Sequence, residues 1–359
     1  MLKTINIYLI KLFLKKIINT SLIFLSLVFV LSIFEEISFF KDANVSVFFP
    51  FWITMLSAPS TLFQIFPFIF LISTQLFFLD LINKNELEAL KTNAFNNIKV
   101  IRVLFFTSFL LGIILVLFYY TLSSKLNFIY LDLKNTHSND NKYLAVVTEN
   151  GLWIKDEVDE KIYIVQASKI EGFYLKDVSI YEFNSKFDLN QLIESEKVDI
   201  SDFEWIIFTP IVSQNNNKKK LSENLKITLH FDSSKISSLF SNLSSLNIVQ
   251  LLKLNNDYKA LGYSTRDVVL HLNKLYSLPV FTSLMTLIAA IIMLNIKRSK
   301  PLIFYVIFGI FLSVTIYYIY YLFNIMGISG KIPLIASVWL PLLILSIFIL
   351  IGLVRINER

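Results

Sequence analysis

Six stretches of this chain carry no charged residue and are long enough to cross a bilayer: Ile17–Phe34, Ala43–Leu79, Val103–Ser124, Leu275–Ile296, Pro301–Gly330 and Ile332–Val354. A spanning helix needs roughly 20 apolar residues, so five of the six fit one crossing each. The second is too long for one helix, and Pro50, Pro59 and Pro67 interrupt it. Pro50 to Ser60 reads as an interfacial lead-in, followed by a helix from about Thr61 to Ile82. Only 17% of the 359 residues are charged and the mean hydropathy is +0.62, a balance that points to lipid contact.

Lysine and arginine orient the spans. With the N-terminus in the cytoplasm, the inner segments carry Lys3, Lys11, Lys15, Lys16, Lys84, Lys91, Lys99, Arg102, Lys297, Arg298, Lys300, Arg355 and Arg359. The short outer loops then hold only Lys41 and Lys331, which is the asymmetry expected of inner-membrane proteins. Both termini are therefore expected inside. The net charge of +6 sits at helix ends, with no basic patch for nucleic acid. The first apolar run lacks a small-residue cleavage site and reads as a span, not a cleaved signal.

Between the third and fourth spans the character changes. Short alternating runs at Tyr143–Thr148, Lys161–Ala167, Val178–Phe183, Phe203–Phe208 and Leu225–Phe231 are separated by turn-forming clusters such as Asn139–Asn141 and Asn215–Lys218. A period of two broken by turns predicts an antiparallel, all-β, jellyroll-like sandwich. After Ser233 the pattern turns helical through Leu246, Val249, Leu252 and Leu254 before Gly262. The expected plan is a membrane α-helical protein of six spans, three plus three. Residues 1–124 form the first half and 271–359 the second. Residues 125–270 form a periplasmic β domain with a short helix.

Catalytic chemistry is hard to place on such a chain. There is no cysteine and hence no thiol nucleophile or thiolate metal site. No phosphate-binding G-x-x-x-x-G-K-[ST] loop occurs, and Gly327–Lys331 is too short to serve as one. His137, His230 and His271 lie far apart. The spans hold no ionisable residue at mid-depth, which argues against a proton relay. No cofactor is implied.

Four features bear on function. Asn83–Phe95, between the second and third spans, offers Asn85 as a cap, Glu86 and Glu88 in the first helical turn, and Leu87, Leu90 and Ala94 on one face. Such a short inner helix is what an ABC permease presents to its ATPase; an ordinary capped connector would look the same. The basic start interleaves Leu2, Ile5, Leu9, Leu12 and Phe13 with Lys3, Lys11, Lys15 and Lys16, and reads as an interfacial amphipathic helix or a topogenic signal. Glu35, Glu36, Lys41 and Asp42 end the first span. These are either a solvated helix end or, through Lys41, a point charge for a lipid phosphate. Aromatic residues crowd the spans, as belts and packing require.

Several strings together resemble the LptF/LptG permeases of lipopolysaccharide export, and the LptG branch most. Asn85-Glu86-Leu87 to Asn93-Ala94-Phe95 is similar to the family's coupling helix, with Ala94 where the family has glycine. Gly151-Leu152-Trp153-Ile154-Lys155-Asp156 resembles the string opening the LptG periplasmic domain, and Val178–Phe183 a following strand. Leu278-Pro279, Gly327–Pro333 and Trp339-Leu340-Pro341 are similar to the family's last helices. The resemblance implies a non-catalytic permease that works with a second, LptF-like permease, an LptB-like ATPase dimer and an LptC-like bridge protein. It implies Glu86, Leu87 and Leu90 as ATPase-coupling residues and Lys41 as a lipid-phosphate contact. A different class also fits: an ABC-linked mechanotransmission or scaffold protein acting through its outer domain, although such proteins usually place that domain after the first of four spans.

Overall fold

The structure is a computed structural model that describes residues 2–41, 45–92, 95–137, 144–148, 151–158, 161–171, 173–184, 187–214, 217–233, 243–261, 264–295 and 301–357. Asp42, Asn93, Ala94, Asn139–Asn141, Tyr143, Asn215, Asn216, Gly262, Lys297–Lys300 and Arg359, named above, lie outside these. The chain divides into two compact units. One comprises Met1–Lys41, Ser46–Tyr130 and Val269–Arg359, the other Asp42–Val45 and Leu131–Val268.

The first unit is helical. α1 (Leu2–Phe39) is followed by α2 (Phe49–Gln64), α3 (Phe66–Asn83), the short α4 (Glu86–Thr92) and α5 (Asn97–Ile114). A single π-helical turn, Leu115–Tyr119, joins α5 to α6 (Tyr120–His137). Among the described residues six helical stretches are long and apolar enough to cross a membrane: Thr4–Phe39, Phe66–Asn83, Asn97–Lys134, Arg266–Leu294, Leu302–Ile328 and Leu334–Arg355.

Two expectations about the first half are corrected. Pro50–Ser60, expected as a lead-in, lies in a helix of its own, α2, which begins at Phe49 with Pro50 in its first turn where a missing N–H is harmless. The break falls at Ile65 (φ −98°, ψ 4°), so the following helix begins at Phe66 and not near Thr61. Pro67 causes it, since its ring clashes with the Phe63 carbonyl in a continuous helix and offers it no N–H. The basic N-terminal segment is likewise no separate interfacial helix. α1 is continuous from Leu2, and Leu9, Phe13 and Ile17 are buried at i, i+4 and i+8. The Phe13 ring meets Phe70 and Phe77 of α3 edge-on, with centroids 6.4 and 5.9 Å apart. Further edge-on pairs, Phe24 with Phe68 and Phe29 with Phe51, continue the α1 contact along α3 and α2. Much of the aromatic content is thus helix–helix packing.

α8 (Arg266–Leu294), α9 (Leu302–Ile328) and α10 (Leu334–Asn357) form the second half. α3 and α8 are the unit's own core, buried over 67% and 78% of their spans against 17% for α1 and α9. Two polar contacts at depth join neighbouring helices. The Ser108 hydroxyl donates to Thr286 (2.9 Å), and Gln75 Nε2 donates to the Tyr305 carbonyl (2.9 Å). Gly309 makes room for the latter, because a Cβ there would lie 2.0 Å from Gln75 Nε2.

The second unit is an antiparallel β domain. Its strands are β1 (Leu144–Thr148), β2 (Gly151–Val158), β3 (Lys161–Glu171), β4 (Tyr174–Phe183), β5 (Leu189–Asp199), β6 (Glu204–Phe208), β7 (Ile211–Gln214), β8 (Asn217–Lys220) and β9 (Leu225–Thr228). They join in the order β1-β2-β3-β4-β5-β6-β9, with β7 pairing β5 and β8. β5 changes partner along its length: Leu192–Glu194 pair with β7 and Lys197–Asp199 with β6. A core of Val165, Ile180, Ile193, Trp205 and Phe231 fills one face of the sheet, and the Trp205 indole donates to the Phe231 carbonyl (2.6 Å). In β4, Leu175 and Val178 both face inward although three apart, because Asp177 adopts a left-handed φ of 48° and resets the alternation. α7 (Ile248–Leu261) turns Leu251 and Tyr258 inward, while Val249 and Leu252 of the expected apolar face are exposed.

Candidate functional site

The α3–α5 junction is built by local capping. α3 stops at Lys84, whose N–H bonds the Asp80 carbonyl (3.1 Å), while the Asn85 N–H bonds that of Ile82 (3.1 Å). Asn85 then enters the left-handed region (φ 57°), which asparagine tolerates, and its carbonyl accepts from the Ala89 N–H. It turns the chain into α4 instead of standing as an extended N-cap. Glu86 and Glu88 occupy the first turn of α4 and Lys91 the last, as the helix dipole favours. Beyond α4, Phe95 is buried and its N–H bonds the Leu90 carbonyl (3.0 Å). Asn96 caps α5 through its side chain, which accepts from Lys99 N–H (3.1 Å).

α4 is tied to α1. The Tyr8 hydroxyl donates to Glu86 Oε2 at 2.6 Å, a short charge-assisted bond. Two turns further along α1, Lys16 Nζ lies 2.6 Å from Asp80 Oδ2 at the end of α3. The basic start of α1 therefore forms one seam with the α3–α4 corner. Leu87 is buried within this seam at 8% exposure, Leu90 is half-buried, and Glu88 and Ala89 are exposed. The pairing of Tyr8 with Glu86 spans 78 positions and no sequence period announces it. The apolar spacing of Leu9, Phe13 and Ile17 was the available signal that this face of α1 is covered.

At the other end of α1, Lys41 is exposed, Phe40 is buried and Glu35 is exposed. Glu36 is 4% exposed and accepts from the Tyr130 hydroxyl (2.8 Å), so it locks α1 to α6 and is no solvated helix end. Among the described residues, no group of three or more histidines and carboxylates is placed to hold a metal.

A family model described as Lipopolysaccharide export system permease LptF/LptG matches residues 7–355, nearly the whole chain. The chain belongs to the LptF/LptG family. No curated protein matches it. As an LptF/LptG member it is an integral inner-membrane permease component of lipopolysaccharide export. The strings that carry the resemblance fall at structural corners. Gly151–Asp156 lies in β2, and its Asp156 is fully buried, accepting from the His230 N–H (2.6 Å) and pairing with His230 Nδ1 (3.0 Å). Gly327–Pro333 forms the turn between α9 and α10, with Gly330 at φ 75° where a side chain would be strained. In α10 the Trp339 indole donates to Asn273 of α8 (3.3 Å).

Proposed function

We propose that this chain is the LptG-type permease of an ABC exporter. It takes lipopolysaccharide from the inner membrane and passes it toward a periplasmic bridge. Both termini and α4 face the cytoplasm and the β domain the periplasm, as the lysine and arginine distribution supports. A second, LptF-like permease completes the membrane part, an LptB-like ATPase dimer hydrolyses ATP, and an LptC-like protein receives the glycolipid. The LptG assignment rests on the Gly151–Asp156 string in β2. The exposed apolar faces of α1, α9 and α10 support the second permease, because a lone chain leaves them to lipid.

The observation that carries the reading is α4 itself, a short helix joined by Glu86 and Tyr8 to the longest helix of the bundle. Force from a separate ATPase has to cross a protein–protein contact, and a helix so anchored passes displacement straight to α1. In this scheme Glu86 and Leu90 face the ATPase, and Leu87 seats α4 on its own chain. Lys41, exposed at the outer end of α1, supplies a point charge for a lipid phosphate.

Glu86→Lys tests this reading. The Glu86 carboxylate would pair with a basic side chain of the ATPase; removing one partner of a charged pair buried at that contact costs about 3–5 kcal/mol and a lysine adds repulsion, so ATPase co-purification and export should both be lost while membrane insertion persists. Tyr8→Phe serves as the control: it removes only the intrachain bond and should retain the ATPase. Wild-type co-purification and export in Glu86→Lys would place the coupling contact elsewhere.

A further inference from the structure

Three helices meet at the α4 corner: α1 through Tyr8, α3, which ends there, and α5, which begins just beyond it. Two of them are interrupted on their way to the outer side. α3 starts only at the Ile65 break, and α5 passes into the π turn Leu115–Tyr119, where the Tyr120 N–H reaches back five residues to the Leu115 carbonyl. The two interruptions touch. The Tyr119 ring stacks on Phe63 before the break, with centroids 6.3 Å apart, and meets Phe66 after it edge-on at 5.1 Å. Such departures from the regular i→i−4 ladder are where helices bend, and π turns recur at functional sites.

α1 has no such joint. It is helical from Leu2 to Phe39 and contains neither proline nor glycine. Its polar ties to other helices fall at its two ends. Tyr8 and Lys16 hold Glu86 and Asp80 at one, and Glu36 accepts from Tyr130 of α6 (2.8 Å) at the other. The stretch from Lys16 to Glu36 is roughly 30 Å long. Along it, among the described residues, α1 makes no hydrogen bond or ion pair to another helix; the Ser26 hydroxyl donates to the Ile23 carbonyl of its own helix (2.8 Å). The contacts there are apolar, Phe24 on Phe68 and Phe29 on Phe51. Apolar attraction is non-directional, so it resists sliding and tilting less than a hydrogen bond does.

The position of Glu36 follows a different rule from the rest of its span. It is a carboxyl group 4% exposed on a helix long and apolar enough to cross a membrane. A buried ionisable group in such a segment is costly and marks a task. Its bond lands on α6 beyond the π turn, and α6 runs on to His137 before the chain enters β1 at Leu144. α6 is therefore tied to α1 by a directional bond and joined to α5 through an irregular turn.

We propose that Glu36 and Tyr130 form the output joint of the coupling stroke: α1 carries displacement from α4 to α6, and the π turn lets α6 follow α1 instead of α5. The inference rests on the coupling role given to α4 above. Both side chains are positioning residues.

The assay is lipopolysaccharide delivered per ATP hydrolysed by the complex of this chain, its second permease and the ATPase. Tyr130→Phe removes only the donated hydroxyl. It should lower that ratio about fivefold, the low end of coupling between distant sites, with ATPase co-purification and ATP hydrolysis unchanged. Glu36→Ala should do the same, and Glu36→Gln, which keeps an acceptor oxygen, should restore the ratio. A wild-type ratio in Tyr130→Phe overturns the proposal, provided Glu86→Lys abolishes export; export retained in Glu86→Lys refutes the coupling role of α4 instead. A parallel fall in ATPase co-purification would make the pair a structural staple and also overturn it. A second measurement leaves the pair intact. In the cysteine-free chain, spin labels at Leu31→Cys and Phe128→Cys, both exposed positions, should keep their separation between nucleotide-free and ATP-bound states. Labels at Phe106→Cys and Phe128→Cys should shift by about 2 Å, the scale of helix movements in such switches. A constant separation in the second pair, or an equal shift in the first, overturns the proposal.

Discussion

The Asp156 carboxylate has no exposure, and three donors meet it: the Glu157 N–H at 2.8 Å, the His230 N–H at 2.6 Å and His230 Nδ1 at 3.0 Å. It fastens β2 to the segment following β9, across 74 positions of sequence. Asp156→Ala leaves two backbone N–H groups without this acceptor, and hydrogen bonds to charged groups contribute about 1.5–3 kcal/mol each. Hydrogen exchange should accordingly show β2 and residues 229–231 losing protection while α3 and α8 keep theirs. Unchanged protection in β2 would mean the carboxylate is not what holds that end of the sheet. Asp156 was visible in sequence only as the end of a family string, and His230 only as a solitary histidine. Glu86 was legible because its signal is local, an acid in a first helical turn, whereas its partner Tyr8 was not, since side chains meeting across a fold leave no period. Asn85 differs from the cap expected of it: an asparagine before a helix can cap it or turn into it, and here the backbone takes the left-handed turn.

Elements read well where their period was long and poorly where other forces set their bounds. Five single spans appeared where the charge-free runs lay. The proline-interrupted region did not, because a proline in a first turn and one that breaks a helix look alike until the carbonyl four residues back is considered. β5 escaped notice because Asn190, Gln191, Glu194, Glu196 and Lys197 mask its few apolar residues; pairing on both sides makes it a strand, not propensity. β8 escaped for a similar reason, and its composition has a consequence. Lys218, Lys219 and Lys220 guard that edge of the sheet, and β9 carries Lys226, while β1 (Leu-Ala-Val-Val-Thr) has no charge and pairs only with β2 among the described residues. If the β domain extends by strand addition, β1 is the edge to receive the next protein. Photo-crosslinkers at Ala145 and Val147 should capture an LptC-like protein and those at Lys219 should not. Capture at Lys219 alone would assign the junction to the other edge.

For the whole molecule, burial separates helices that stabilise the chain from those that face outward. α3 and α8 lie inside their own unit; α1, α9 and α10 present apolar surface that only lipid or another membrane protein can cover. The orientation rests on charge. The natural sequence has no cysteine, so single substitutions report sidedness without background. Ser201→Cys in the β domain should react with an impermeant maleimide from the periplasmic side and Lys84→Cys only after the membrane is opened; the reverse pattern would invert the topology. The most direct measurement is release of lipopolysaccharide from proteoliposomes containing this chain, its second permease and the ATPase, with a soluble bridge-type acceptor outside. The account predicts transfer to the acceptor that requires ATP and is abolished by Glu86→Lys. ATP-independent transfer, or none from a complex that binds and hydrolyses ATP normally, would contradict it.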